Sequence, residues 1–404
     1  MTRLDAFIKQ GWIEARSVAG EEDLPLPFPF VPPCGTGDFK RLYYWDTYFT
    51  NVGLIMDGHA DWARENVDNL LFALDYFGCV PNFTRENGAT FCSQPPLLGL
   101  MIQDVYAAIG DEAWLAKAVL GLEKEYAFWM SKRITPIGLN QHGTNAVGDR
   151  AVLTYYYSLV MHRIAMDENA SEEEQIRIAT NLLAEAESGE DFTPRYENHN
   201  ATEYAQIDLN AHLYGVESFL ADFYHGKDEK KSAYYQEQKE RRLALIEKYC
   251  YNEKTGIYAD YNFVKNKRNE IVCAASFLPY FYGFARKDSS PAAIYDKLKT
   301  KGGVVSCEDT GDRHYQWGYP YIWAPHQYFA YVALKNYGEH ERAEELRINY
   351  TNLLSNTYDK TGFLWERYTE EGNAPDLEYP TQKMLGWTAG VYRYLQSMQG
   401  EKRK

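Results

Sequence analysis

The feature that most constrains the fold is a helical spacing of apolar residues, which recurs from residue 67 nearly to the end of the 404-residue chain. In 67–77, apolar residues fall at positions i, i+3, i+4 and i+7, and the pattern stops at Gly78. The same spacing returns in 96–110, 113–132, 154–166, 172–186, 209–224, 231–249, 324–337, 341–356 and 384–398. Strand-type alternation is scarce, so the sequence predicts an all-α protein.

Two of these helical segments are followed by the same Lys-Thr-Gly turn and a short extended piece, at 249–261 and 358–368. Repeated helix–loop units favour a closed ring of helical hairpins, an α/α toroid, and a chance similarity of two turns is the alternative. No linker or composition break divides the chain, so a single domain over 1–404 is predicted. Residues 1–38, which are rich in Pro and Gly towards their end, are expected to be irregular.

Charge and composition exclude several classes of partner. The net charge of −15 disfavours binding to nucleic acid or to an anionic membrane. No apolar run approaches the ~18 residues of a membrane span. Six scattered cysteines without a C-x-x-C pair are too few for a disulfide scaffold or a structural zinc site. The first ten residues lack the apolar core of a secretory signal, so we expect a soluble, cytoplasmic protein.

The motif search leaves mainly carboxylates as candidate catalytic groups. The chain has no G-x-G-x-x-G after a strand, no phosphate-binding P-loop, no H-E-x-x-H and no G-x-S-x-G, and its histidines do not cluster. We therefore expect no cofactor and no catalytic metal. Aromatic residues make up 15% of the chain, and rings with a polar edge suit sugars. Carboxylates among aromatic and amide side chains are the groups that glycoside hydrolysis requires.

Polar and aromatic residues concentrate beside Gly and Pro in 42–53, 87–96, 187–195 and 315–327. Each segment adjoins a helical stretch, so each is predicted to be a loop at one end of a helix pair. If those ends converge, they form one concave site lined by aromatic rings.

These motifs resemble those of the trehalases, glycoside hydrolase family 37. The similarity runs in order through 43–49, 93–96, 187–191, 207–210, 316–327, 364–368, 378–380 and 386–390. The resemblance implies an (α/α)6 toroid that hydrolyses a small α-linked glucoside with inversion. Trehalose is the default substrate, so the expected partner is a small carbohydrate.

The resemblance also implies roles for individual residues. It makes Asp191 the general acid and Glu366 the general base, and their neighbours agree. Phe192 and Pro194 are able to raise the pKa of Asp191, whereas Arg367 favours an ionised Glu366. An inverting pair is expected ~6.5–9.5 Å apart. The match nominates as sugar-binding residues Phe39, Tyr43, Trp45, Asp46, Asn87, Gln94, Arg150, Trp317, Glu378 and Trp387. Core packing is the alternative for Trp45 and Trp387, and helix capping is the alternative for Asp46.

The chain departs from the family pattern at four positions. Asp38 and Cys92 stand where trehalases have arginines, Glu190 replaces a Trp, and Val152 replaces the acid expected after Arg150. Other substrates therefore stay open, such as the glucosylglycerate, mannosylglycerate or oligosaccharides of the related family 63 enzymes. An anionic aglycone would need a cation, for which the candidates are Arg41, Arg150 and Arg195. Remoter alternatives are a sugar epimerase or isomerase and an inactive carbohydrate-binding relic.

Overall fold

The computed structural model describes residues 2–21, 23–35, 37, 39–85, 91–164, 167, 169–375 and 381–399. This part of the chain is mostly helical, as predicted. Its helices are α1 (Arg3–Ala15), α2 (Tyr44–Met56), α3 (Ala60–Phe77), α4 (Leu98–Ile109), α5 (Glu112–Lys132), α6 (Arg150–Val160), α7 (Glu172–Glu187), α8 (Ile207–Tyr224), α9 (Glu229–Tyr249), α10 (Leu278–Phe281), α11 (Ala292–Leu298), α12 (Ala324–Asn336), α13 (His340–Thr361) and α14 (Gly386–Ser397).

The strands are short and form small antiparallel sheets between the helices. They are β1 (Tyr204–Ala205), β2 (Tyr251–Asn252), β3 (Ile257–Tyr258), β4 (Tyr261–Asn262), β5 (Lys267–Arg268), β6 (Lys299–Thr300), β7 (Gly303–Val304), β8 (Ile322–Trp323), β9 (Arg367–Thr369) and β10 (Gly372–Asn373). Their orders are β1-β4-β5, β10-β9-β8, β2-β3 and β6-β7. Among them, β8 and β9 lie next to the predicted catalytic motifs.

The prediction that residues 1–38 are irregular is wrong for their first part, because α1 begins at residue 3. The Thr2 hydroxyl accepts from the Asp5 backbone N–H, and the Asp5 carboxylate accepts from the Thr2 N–H, which is a capping box. Leu4, Ile8 and Trp12 recur at helical spacing and are buried. The prediction gives too much weight to the Pro- and Gly-rich residues that follow.

Segment 42–53 is predicted to be a loop, but most of it lies in α2. Buried residues run without interruption from Tyr44 to Leu54, so the helix is enclosed on every side. A fully enclosed helix has no apolar stripe facing a polar one, and this is why periodicity does not reveal it.

Helix α2 packs closely against α14, the last described helix. A Cβ atom on Gly390 of α14 would lie 1.9 Å from the carbonyl oxygen of Phe49 in α2, and a Cβ on Gly53 would lie 2.6 Å from the Cα of Gly390. Only glycine permits this approach, which closes the helical array on itself. The main hydrophobic core includes buried residues from Leu4 to Leu395. That the chain forms a single domain over 1–404 stays a prediction.

The two Lys-Thr-Gly turns are not equivalent. The first lies in the β2–β3 hairpin, whereas α13 continues through the second as far as Thr361. The repeated sequence therefore does not mark a repeated structural unit at these two turns. None of the described helices combines the length and the apolarity needed to cross a membrane.

Candidate active site

Most of the predicted site residues line one cavity of about 290 Å³. They are Phe39, Tyr43, Trp45, Asp46, Gln94, Asp191, Trp317, Glu366 and Trp387. They come from α2 and α14 and from the segments that precede α2 and α4, follow α7 and precede β8 and β9. The volume is at the lower end of the range of small-molecule pockets, which suits a ligand of one or two sugar rings.

Packed tryptophans form one wall of the cavity. Trp317 stacks on Trp323 with ring centroids 3.8 Å apart, and Trp45 lies 5.7 Å from Trp317 and 5.8 Å from Trp387. The Trp387 Nε1–H donates to the Glu366 carbonyl oxygen at 3.1 Å. Trp45 and Trp387 also belong to the hydrophobic core, so they serve both packing and the site. Their indole rings form a rigid, flat part of the cavity wall.

Asp191 lies in a tight loop between Gly189 and Phe192, both of which have positive φ, 78° and 59°. A Cβ on Gly189 would lie 2.8 Å from the Trp45 ring. The Trp317 Nε1–H donates to Asp191 Oδ1 at 3.3 Å. Burial raises the pKa of Asp191, opposed by the positive charge of Arg163 and by the Trp317 hydrogen bond. A raised pKa keeps this carboxyl protonated over a wider pH range, as a general acid requires.

Glu366 directly precedes β9 and is 4% exposed. Its backbone N–H donates to the Gln382 carbonyl oxygen at 2.9 Å, and Arg367 Nη1 lies 3.9 Å from Glu366 Oε2. Arg367 also donates to Gln316 Oε1 at 3.0 Å, and Gln316 Nε2 donates to the Asp191 carbonyl oxygen at 3.1 Å. One amide side chain thus connects the loops that carry the two carboxyl groups.

Asp46 lies at the start of α2 and does not cap it. The N-cap is Tyr43, which makes no side-chain capping hydrogen bond. Burial raises the pKa of Asp46 well above its usual value, and the negative charges of Glu366 and Asp191 raise it further. Asp46 therefore takes up a proton more readily than an ordinary aspartate. Next to it, Gln94 Oε1 accepts from the Trp45 backbone N–H at 3.1 Å.

Arg150 does not line the cavity, so its prediction as a sugar-binding residue is corrected here to a surface position. It begins α6 on the surface, where its Nε donates to Glu172 at 2.9 Å. The arginine that lines the cavity is instead Arg163, on the 3₁₀ helix Met161–Ile164, with its guanidinium 4.7 Å from the Phe192 ring centroid. Of the described residues around the cavity, Arg163 is the sole arginine or lysine. Nothing in its local sequence marks it as a site residue.

The other departures from the family pattern differ in position: Cys92 lines the cavity, whereas Val152 and Glu190 do not. The other two candidate cations for an anionic aglycone, Arg41 and Arg195, do not line it either. Arg41 pairs with Asp23, and the fully buried Arg195 pairs with aspartates of the core. The predicted residues Asn87 and Glu378 and the departure at Asp38 lie outside the described residues.

Comparison with known proteins agrees with the motifs. The trehalase family profile matches residues 12–400. The periplasmic trehalase of Salmonella paratyphi B is 32% identical over an alignment of 393 residues, and the match covers 91% of this chain and 68% of that protein. The periplasmic trehalase of Salmonella agona is 33% identical over 394 residues, with the same coverage.

These relatives contradict the prediction of a cytoplasmic protein, because they are periplasmic trehalases. The prediction rests on the first ten residues and on the sparse cysteines. All six cysteines are buried and free, and buried thiols of this kind are packing residues that carry no information on compartment. The cytoplasmic prediction is therefore wrong.

Solved structures show the same fold. The neutral trehalase Nth1 from Saccharomyces cerevisiae superposes with a TM-score of 0.77 at 25% identity, covering 93% of this chain and 74% of that one. A family 63 mannosylglycerate hydrolase from Thermus thermophilus superposes with a TM-score of 0.65 at 14% identity, covering 98% of this chain and 100% of that one. The (α/α)6 toroid is thus confirmed. The family profile and the trehalase relatives confirm the assignment as a glycoside hydrolase. The chain belongs to the trehalase family.

Proposed function

We propose that this protein hydrolyses trehalose with inversion of configuration, with Asp191 as general acid and Glu366 as general base. The observation that carries the proposal is that both carboxyl groups line one sugar-sized cavity beside a wall of tryptophans. The substrate follows from the family and from the names of the relatives.

The two carboxyl groups have complementary roles in this reaction. Protonated Asp191 donates its proton to the glycosidic oxygen as the bond from that oxygen to the anomeric carbon breaks. Ionised Glu366 takes a proton from the water that attacks the same carbon from the opposite face. The products are one glucose inverted to the β-anomer and one released as the α-anomer. Burial favours the protonated form of Asp191. Beside the proposed base, Arg367 Nη1 lies 3.9 Å from Glu366 Oε2.

The other cavity residues hold the two sugar rings. The tryptophan faces cover the C–H side of the ring that is cleaved, and Asp46 and Gln94 supply polar groups for its hydroxyls. Arg163 is near the general acid, which acts on the leaving-group oxygen, so we assign Arg163 to the leaving glucose. A guanidinium is able to donate two parallel hydrogen bonds to neighbouring sugar oxygens.

The test combines two variants with an assay of the product anomer. Asp191→Asn and Glu366→Gln should each reduce trehalose turnover by at least about a thousandfold while the fold is kept. Proton NMR of the first products should show α- and β-glucose in equal amounts. Turnover near wild type in a folded variant, or α-glucose alone at early times, would refute the assignment. Kojibiose, isomaltose, glucosylglycerate and mannosylglycerate in the same assay test the substrate.

Independence from a metal or cofactor stays a prediction of the sequence. Dialysis against a chelator should leave the rate of trehalose hydrolysis unchanged, and a loss of activity that a divalent ion restores would contradict it.

A further inference from the structure

Glu190, which precedes the proposed general acid, turns away from the cavity and joins a buried pair. Its Oε1 lies 2.9 Å from Nε2 of His326, and its Oε2 accepts from Arg195 Nη1 at 3.4 Å. Glu190 and His326 are each 3% exposed, and neither lines the cavity. A carboxylate and an imidazole are costly to remove from water, so the burial of this pair requires an explanation.

His326 connects this pair to the acid. Its ring packs edge-on against Trp317, with centroids 5.4 Å apart and an interplanar angle of 69°. The Trp317 Nε1–H donates to Asp191 at 3.3 Å. Because Asp191 follows Glu190 in the chain, these contacts join Glu190, His326, Trp317 and Asp191 in a closed ring. Trp317 is thereby held between His326 on one side and the carboxyl group of Asp191 on the other.

The backbone of this loop needs such support. Gly189 and Phe192 have φ of 78° and 59°, and this left-handed conformation is strained for Phe192, which is not a glycine. On one side, buried Glu185 accepts from the Phe192 backbone N–H at 3.1 Å. On the other side, the contact between Glu190 and His326 ties the loop to the start of α12. The loop conformation that presents Asp191 is therefore fixed from both sides.

We propose that Glu190 and His326 are positioning residues that keep Asp191 aligned for proton transfer, acting through Trp317 and the loop backbone. The proposal rests on the proposed role of Asp191 as general acid. Because the carboxylate of Glu190 accepts, Nε2 of His326 is the protonated nitrogen. Nδ1 of His326 has no hydrogen-bonding partner among the described residues, so a second proton there would be a buried, unsatisfied donor. His326 therefore acts as a fixed donor.

The kinetic test compares two substitutions of His326. His326→Leu removes the donor, and His326→Gln restores an amide N–H near the position of Nε2. We expect kcat for trehalose to fall at least tenfold in His326→Leu with KM within about twofold, and to recover largely in His326→Gln. The matched control is His314→Gln, because His314 makes the same kind of contact, 2.8 Å to Asp312, on the surface. That control should leave kcat and KM unchanged.

A pH profile separates positioning from a simple packing defect. The Trp317 hydrogen bond lowers the pKa of Asp191, so a loosened Trp317 should move the alkaline limb of kcat to higher pH in His326→Leu. The groups that act electrostatically on Asp191 or Glu190 stay in place in this variant: Arg163, Arg367, Asp46, Glu185, Tyr156, Arg195 and Tyr196. A packing defect alone would lower the unfolding temperature without moving that limb.

Glu190→Leu is the second variant, because it removes the acceptor for Nε2 of His326 and leaves a side chain of similar length. It should lower kcat in the same way as His326→Leu, while Arg195 keeps its contacts to Asp208 and Asp260. The inference is overturned if both folded variants keep the wild-type kcat, if His326→Leu keeps the wild-type alkaline limb, or if KM rises while kcat holds. Glu190→Leu decides the question where His326→Leu does not fold. Asp191→Asn is measured alongside: if it keeps turnover, the proposed function fails, and if it is inactive while Glu190→Leu is normal, only this inference fails.

Discussion

At the scale of single residues, the cavity combines two buried carboxyl groups with one guanidinium. Asp191 and Glu366 both line it. A 3₁₀ helix follows α6 and carries Arg163 back over Phe192, with its guanidinium 4.7 Å from the centroid of that ring. Among the described residues that line the cavity, Arg163 is the sole arginine or lysine.

Substitutions of Arg163 and of Arg150 should differ in their effect on trehalose hydrolysis. Because Arg163 lines the cavity, Arg163→Gln should lower kcat/KM by about a hundredfold, equivalent to about 3 kcal/mol, through loss of a bidentate donor. Arg163→Lys should recover only part of this, because an ammonium lacks the planar fork. Arg150→Gln is the control and should be silent, since Arg150 pairs with Glu172 on the surface. Normal activity in Arg163→Gln together with a loss of activity in Arg150→Gln would instead support Arg150 as the substrate-binding arginine, as the sequence predicts. Initial-rate kinetics decide between them.

The carboxyl groups could be predicted from the sequence, whereas the cation could not. Asp191 and Glu366 stand in motifs whose spacing and neighbours are visible in the sequence, and both line the cavity. Arg163 has no motif around it. It reaches the cavity through the 3₁₀ helix that follows α6, a turn of the chain that local periodicity does not encode.

At the scale of elements, helices with one apolar face were predictable and an enclosed helix was not. The segments predicted at 113–132 and 172–186 coincide closely with α5 and α7. In α2, however, buried polar residues such as Asp46, Thr50 and Asn51 alternate with aromatics on all sides. Their burial is a consequence of the ring of surrounding helices, which only the tertiary structure supplies.

The contact between α2 and α14 gives a prediction about stability. Gly390→Ala should lower the free energy of unfolding by about 3 kcal/mol or more, because the new methyl group would meet the Phe49 carbonyl at 1.9 Å and neither backbone has room to move. Gly99→Ala in α4 is the matched control. A Cβ there would meet its nearest neighbour at an ordinary 3.4 Å, so this variant should be neutral or gain about 1 kcal/mol from helix propensity. Urea unfolding measures both, and equal stabilities would contradict the close approach.

At the scale of the whole molecule, buried carboxyl groups with opposite pKa shifts set how stability depends on pH. Burial raises the pKa of Glu187, but the two hydrogen bonds and the charge of Arg133 more than offset this and lower it to about 2. Burial raises the pKa of Glu125 to about 7. In an unfolded chain both groups titrate near ~4.3. The first shift favours folding above that pH, and the second favours folding below it.

The opposite directions of these pKa shifts predict that the free energy of unfolding is greatest at mildly acidic pH. As pH falls from about 4.3 towards 2, the folded protein keeps Glu187 ionised while the unfolded chain takes up a proton, so the free energy of unfolding decreases. As pH rises from about 4.3 to 7, the folded protein keeps Glu125 protonated while the unfolded chain releases the proton, so the free energy of unfolding decreases again. Asp104, whose pKa burial also raises to about 7, acts in the same direction as Glu125.

Two variants separate the two sides of this maximum. Glu187→Gln should cost about 3–5 kcal/mol at neutral pH, because it leaves Arg133 buried without its counter-charge, and it should flatten the decline on the acid side. Glu125→Gln keeps an acceptor for the Tyr44 hydroxyl and should flatten the decline between about pH 4.3 and 7 while leaving the acid side unchanged. Denaturant unfolding from pH 3 to 8 measures both slopes. Glu125 contributes to this decline only if the folded protein holds a proton on Glu125 that the unfolded chain releases. If the curves of unfolding free energy against pH are parallel for Glu125→Gln and wild type, Glu125 is ionised in the folded protein.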